Sequence, residues 1–145
     1  MTFAPTPDDV RLLRRAVELA LEGRAAGQPP FGSLLAGPDG AILAEDHNTV
    51  LADGDITAHP ELKLARWAAR NLDPETAAGT TLYTSCQPCG MCSGAIDGSG
   101  LGRVVYALSS EQFFELRPDR RSRDVPQFGP ALPDEGRTAV EGSWP

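Results

Sequence analysis

Several things are scarce in this chain, and each scarcity excludes something. Only three cysteines occur in 145 residues, and Cys86, Cys89 and Cys92 all fall within one short stretch. That spacing excludes a disulfide framework and suits a metal. No apolar run is long enough to cross a bilayer, so a membrane partner is not expected. The first residues, up to Asp9, lack a basic stretch followed by an apolar one, so they do not read as a secretory signal. A cytoplasmic location is the resulting expectation. Lysine is nearly absent: Lys63 is the only one among thirteen basic residues. Those thirteen face twenty acidic residues, for a net charge of -7. Such a balance lacks the electrostatic footprint that nucleic acid demands. The arginines between Arg117 and Arg123 are interspersed with Asp119 and read as a solvated surface segment. A small molecule is therefore the expected partner.

The hydrophobic fraction of 41% is enough for a real core at this length. Thr6-Pro7-Asp8-Asp9 reads as a helix start, with Thr6 as N-cap and Pro7 at the first position. Val10, Leu13, Val17 and Leu21 mark one face of that helix, which ends between Gly23 and Gly27. Phe31 to Ala36 and Ala41 to Ala44 read as strands around the turn cluster Gly37-Pro38-Asp39-Gly40. A helix is expected from His59 to Leu72, with Leu62, Ala65, Ala69 and Leu72 on one face. A strand follows at Thr80 to Thr84, a short helix at Cys89 to Ile96, a strand at Arg103 to Leu108, and a helix at Ser110 to Leu116. From Arg117 onward the chain is rich in proline, glycine and charge, with little regular structure expected before its end. The expectation is one domain over residues 1–145, with a core at about 8–116 and a tail at 117–145.

Two short motifs carry chemistry. His59-Pro60-Glu61 pairs a metal ligand with a nearby carboxylate, and Pro88-Cys89-Gly90-Met91-Cys92 places two thiols one helical turn apart. Three protein ligands (His59, Cys89 and Cys92) would leave the fourth position of a tetrahedral zinc open for water. A zinc so held lowers the pKa of bound water to about 7. Glu61, close to the metal but not needed as a ligand, could then shuttle protons. A structural zinc would want a fourth ligand, and His47 is the only other histidine. Cys86 reads as a small buried residue at a strand end.

The H-x-E and P-C-x-x-C pair matches the signature of zinc-dependent base deaminases, and the chain resembles the cytidine deaminase superfamily from about Val10 to Leu116. Pro30-Phe31-Gly32, Asp55 to His59 and Gly102 to Tyr106 are similar to family segments. Ser85-Cys86-Gln87-Pro88-Cys89-Gly90-Met91-Cys92 looks most like the corresponding run of guanine deaminases. The resemblance implies an α/β fold, a three-layer α/β/α arrangement around a central mixed five-stranded sheet. It implies one Zn2+ per chain, a homodimer, and hydrolytic release of ammonia from an amino-substituted base. It also implies base binding by Asn48 and Phe31, and a C-terminal segment that covers a site, its own or a partner's, with Trp144 as anchor. Trp67, Ala68 and the cysteine helix are candidate contact surfaces for the dimer. Glu135 and Glu141 are candidate second acids.

Pro60, Gln87, Gly90 and Asp97-Gly98 depart from the family pattern, which bears on the choice of base rather than on the reaction. The expected substrates are guanine or another aminopurine, cytosine or isocytosine, or an aminotriazine. Two other readings stand beside this one: a tRNA adenosine deaminase, against which the charge speaks, and an inactive zinc-stabilised binding protein.

Overall fold

The computed structural model describes residues 2–145. Helix α1 spans Pro7–Ala25 and starts at the expected capping box, in which Thr6 and Asp9 bond each other's backbone N–H. Strands β1 (Gly32–Ala36) and β2 (Ile42–His47) form the hairpin. A one-turn helix α2 (Val50–Asp53) leads into α3 (Pro60–Asn71), and α4 (Pro74–Ala78) follows. Then come β3 (Thr81–Cys86), α5 (Gly90–Ser99), β4 (Arg103–Leu108) and α6 (Ser110–Leu116). The sequence reading missed α2 and α4, which are short and lack an apolar face. It also ended β2 too early, so that His47 closes that strand instead of lying on a loop.

The sheet order is β2-β1-β3-β4. β1 runs antiparallel to both neighbours, and β3 and β4 run parallel with α5 between them in sequence. The sheet has four strands among the described residues, not the expected five. The segment that would extend it beyond β4 carries Pro118, Pro126, Pro130 and Pro133, and a chain so dense in proline cannot supply a ladder of donors. It forms instead a single 3-10 turn at Pro118–Arg120 and helix α7 at Pro133–Val140.

Side-chain alternation along the central strands builds the three layers. Leu34, Ala36, Tyr83 and Val105 pack against Leu12 and Leu19 of α1. Leu35 and Leu82 point the other way, onto Leu64, Ala65 and Ala68 of α3 and Ile96 of α5. Both faces of β1 are therefore covered, and all five of its residues are buried. Ala68 lies in this core and is fully buried, so it cannot form a dimer contact.

The buried face of α1 is Asp9, Leu12, Ala16, Leu19, Ala20 and Gly23. Val17 and Leu21, expected on that face, are exposed. Close approach explains the difference. A Cβ on Gly32 would collide with the Ala16 carbonyl and the Ala20 nitrogen, and would stand 2.7 Å from the Leu19 Cβ. The small residues of α1 meet β1 backbone to backbone, which gives the glycine of Pro30-Phe31-Gly32 its physical reason. Asp9 closes the same interface. Its carboxylate accepts from the Tyr83 hydroxyl at 2.7 Å and from two nitrogens of Arg103 at 3.2 and 3.1 Å.

Candidate active site

Two helix starts build the site. His59 is the N-cap of α3 and Cys89 the N-cap of α5. An N-cap side chain normally accepts a backbone N–H of the first turn, as Thr6, Asp73 and Ser109 do in α1, α4 and α6. His59 and Cys89 make no such bond. Their side chains are free to face each other, and the positive ends of two helices converge with them. Pro60 at the first position of α3 gives up an N–H that would have no helical partner there.

His59 Nδ1 lies 3.7 Å from Cys89 Sγ and 3.5 Å from Cys92 Sγ. The three donor atoms all fall within 4.8 Å of one another. Around a tetrahedral zinc, a nitrogen and a sulfur ligand stand about 3.6 Å apart, given their usual bond lengths. The donor set and its spacing therefore fit zinc. The charges agree. The Cys89 bond raises the His59 pKa against the opposing effect of burial. Cys92 and His59 hold Cys89 below the usual thiol range, while Cys89 and burial push Cys92 well above it. A divalent cation held between them would favour both thiols as thiolates.

Glu61 is brought to the same place and is buried. Burial raises its carboxyl above the ordinary value. Ser33 Oγ stands 3.4 Å from Glu61 Oε1 and bonds Thr84 Oγ1 at 2.8 Å, and Thr84 in turn donates to the Cys86 carbonyl at 3.1 Å. Ser33 and Thr84 gave no signal in the sequence, because their meeting depends on the β1–β3 register.

Asn48 is only 4% exposed. Its backbone N–H donates to the Phe31 carbonyl, and its Oδ1 accepts from the Val50 N–H, both at 2.9 Å. Phe31 is half-buried and meets Phe113 edge-on with ring centroids 5.5 Å apart. These rings, with Pro29, Ser85, Cys86 and Leu108, line part of a groove of about 650 Å³.

Trp144 is 73% exposed, and Glu135 and Glu141 are not part of the His59–Cys89–Cys92 cluster. His47 is outside the cluster: its Nδ1 pairs with the Asn48 carbonyl at 3.0 Å. Cys86 is also outside, with a thiol that burial pushes up to about 11. Gln87 accepts from the Ser110 N–H at 3.0 Å and thereby ties β3 to the start of α6. Asp97 and Gly98 sit on exposed positions of α5, and a Cβ on Gly98 would meet open space.

Fold and site together define a zinc-type hydrolytic deaminase of the cytidine deaminase superfamily. Residues 6–108 match the cytidine and deoxycytidylate deaminase zinc-binding region, and the chain belongs to that family. It is 32% identical to a probable cytosine deaminase of Schizosaccharomyces pombe, over 94% of this chain and 92% of that protein. It is 46% identical to the guanine deaminase of Bacillus subtilis over 66% of this chain and 61% of that protein. A crystal structure of guanine deaminase from the same species superposes with a TM-score of 0.68 at 33% identity, covering 90% of this chain and 91% of that one. Similarity also extends to a tRNA-specific adenosine deaminase of Haemophilus influenzae, 36% identical over 70% of this chain and 58% of that protein. No helix among the described residues is long and apolar enough to cross a membrane.

Proposed function

We propose that this protein deaminates a free amino-substituted heterocycle, such as guanine, another aminopurine, cytosine, isocytosine or an aminotriazine, with release of ammonia. One observation carries the reading: a buried carboxyl, Glu61, stands beside a His59–Cys89–Cys92 cluster that does not need it as a ligand. Zinc held by those three residues would supply a water nucleophile at neutral pH. Glu61 would take up the proton released as water adds to the amino-bearing carbon and pass it to the ring nitrogen. It would then take the proton of the newly attached hydroxyl and pass it to the amine, so that the C–N bond breaks as the carbonyl forms and ammonia leaves. Its raised pKa suits that work, because a shuttle must hold a proton and release it at the working pH. Asn48 and Phe31 orient the base, the first by hydrogen bonding and the second by its ring. The bases named fit a chain with a net charge of -7.

Trp144 is assigned to a cover contributed across a homodimer. Its exposure within one chain, shared by Phe128 and Leu132 of the same tail, supports that assignment.

The test is an ammonia-release screen over these bases and their nucleosides. Glu61→Ala should keep its zinc and lose at least about 100-fold in turnover, the usual contribution of a general acid–base group. Full turnover by that variant would overturn the assignment. A second reading, deamination of adenosine in tRNA, is favoured by the Haemophilus relative. Tight tRNA binding that weakens steeply between about 50 and 200 mM salt would establish it in place of the first.

A further inference from the structure

Lys63 is the only lysine in a chain that otherwise uses arginine, and the structure shows what it does. It lies in the first turn of α3, where its backbone N–H bonds the His59 carbonyl at 3.0 Å. Its side chain is 16% exposed. Nζ contacts Asp46 Oδ1 at 3.0 Å, the His47 carbonyl at 3.0 Å and Thr49 Oγ1 at 2.8 Å. An ammonium has three N–H donors and no acceptor, so these three partners saturate it. They converge on one point from the last two residues of β2 and the N-cap of α2. A guanidinium, with its planar fork, suits paired acceptors and not a tripod.

The three partners bracket Asn48. That residue is itself held at both ends, by the Phe31 carbonyl and by the Val50 N–H on Oδ1. With Oδ1 engaged, the amide Nδ2 is the one group of Asn48 that meets no protein acceptor among the described residues, and it is not sealed from solvent. The junction between β2 and α2 thus presents one amide NH2 as a donor group. Lys63 connects that junction to the helix that begins with His59 and Glu61.

We propose that Lys63 is a positioning residue that sets the placement of the Asn48 amide relative to the His59–Glu61 helix start, and so fixes how a substrate with a hydrogen-bond acceptor is oriented over the site. The proposal rests on the reading of Asn48 as a base-binding residue. Lys63 touches neither substrate nor reacting atoms. Its loss should therefore act on binding, through Asn48, and leave the metal in place.

The test is a double-mutant cycle of Lys63→Met and Asn48→Ala in the zinc-loaded protein, using the base most rapidly deaminated in the ammonia screen. Lys63→Met should raise KM about 10-fold or more, with kcat within about 3-fold and zinc still at one per chain. In the Asn48→Ala background the same substitution should cost no more than about 2-fold in kcat/KM, because neighbours that act as a unit are not additive. Losses that multiply in full, or a KM for Lys63→Met within about 2-fold of wild type, would overturn the proposal. The Asn48 side-chain NH2 resonances give a readout that needs no turnover. They should shift or broaden in Lys63→Met, and unchanged resonances refute the proposal. If the wild type deaminates no base, the reading of function fails, while the resonances still decide whether Lys63 positions Asn48. Should Lys63→Met not fold, Thr49→Val removes one of the three acceptors and should move KM and the resonances in the same direction by a smaller amount. No movement in that variant counts against the proposal as well.

Discussion

Replacing Asp9 by alanine should destabilise the protein by about 3 kcal/mol. The figure is built from what the carboxylate holds. It accepts the Thr6 N–H at 2.9 Å as part of the capping box of α1, a contribution of about 1 kcal/mol. It accepts the Tyr83 hydroxyl at 2.7 Å inside the α1–sheet interface, and a hydrogen bond to a charged group contributes about 1.5–3 kcal/mol. Its pair with Arg103 adds less, about 0–1 kcal/mol, since the Arg103 side chain is 46% exposed and water can replace the partner. Together these contributions come to about 2.5–5 kcal/mol, close to the cost of breaking a buried ion pair, and about 3 kcal/mol takes the lower part of that range because Arg103 is partly solvated. In urea, with a slope of about 1–3 kcal/mol per molar, the midpoint should fall by roughly 1–3 M with the slope unchanged.

The pH dependence supplies a second check. Burial alone would raise the Asp9 pKa, but the Arg103 bond, the Thr6 amide and the Tyr83 hydroxyl outweigh it and hold the folded value well below the ordinary 3.8. A depressed carboxylate contributes stability above its unfolded pKa and loses it as pH falls toward the folded one. The gap between wild type and Asp9→Asn should therefore be flat at neutral pH and narrow below about pH 4. A midpoint shift equivalent to under about 1 kcal/mol for Asp9→Ala, or a gap that widens on acidification, would refute the reasoning.

Gly32→Ala should be far more damaging than an ordinary strand substitution, because the added carbon meets α1 backbone instead of a movable side chain. The expected outcome is a loss of about 3 kcal/mol or more, read by the same urea titration, and a cost under about 1 kcal/mol would show that α1 can retreat. Removing zinc with a chelator should lower the melting temperature by about 10 °C, because a ligand present at about 1,000 times its Kd stabilises the folded state by roughly 4 kcal/mol. An unchanged melting temperature with zinc demonstrably gone would mean that α3 and α5 dock without it.

The site was legible largely because its motifs are local. His59 with Glu61, and Cys89 with Cys92, are each within one helical turn. Their spacing is set by the helix and not by the tertiary fold. The order of the main elements was readable for the same reason, through caps such as Thr6 and breakers such as Gly37-Pro38. The face of α1 was misread because periodicity weighs large aliphatics. Ala16, Ala20 and Gly23 look neutral by that measure, yet smallness is what lets α1 lie against Gly32. The expected fifth strand came from the resemblance, against a segment too rich in proline to pair. Gln87, one of the departures from the family pattern, bonds the start of α6, a contact that depends on the tertiary fold. Lys63 and Ser33 were not identifiable as site neighbours, since their partners lie 14 to 51 residues away in sequence.

The isolation of Lys63 also gives the protein a built-in chemical gauge. It is the only side-chain amine in the chain, and in the folded state its nitrogen has every hydrogen engaged. An acylating reagent would find that nitrogen only when the end of β2 and the residues leading into α2 lift away from α3. The yield of a single modified lysine over time would then measure how often that junction opens, without a label or a mutation.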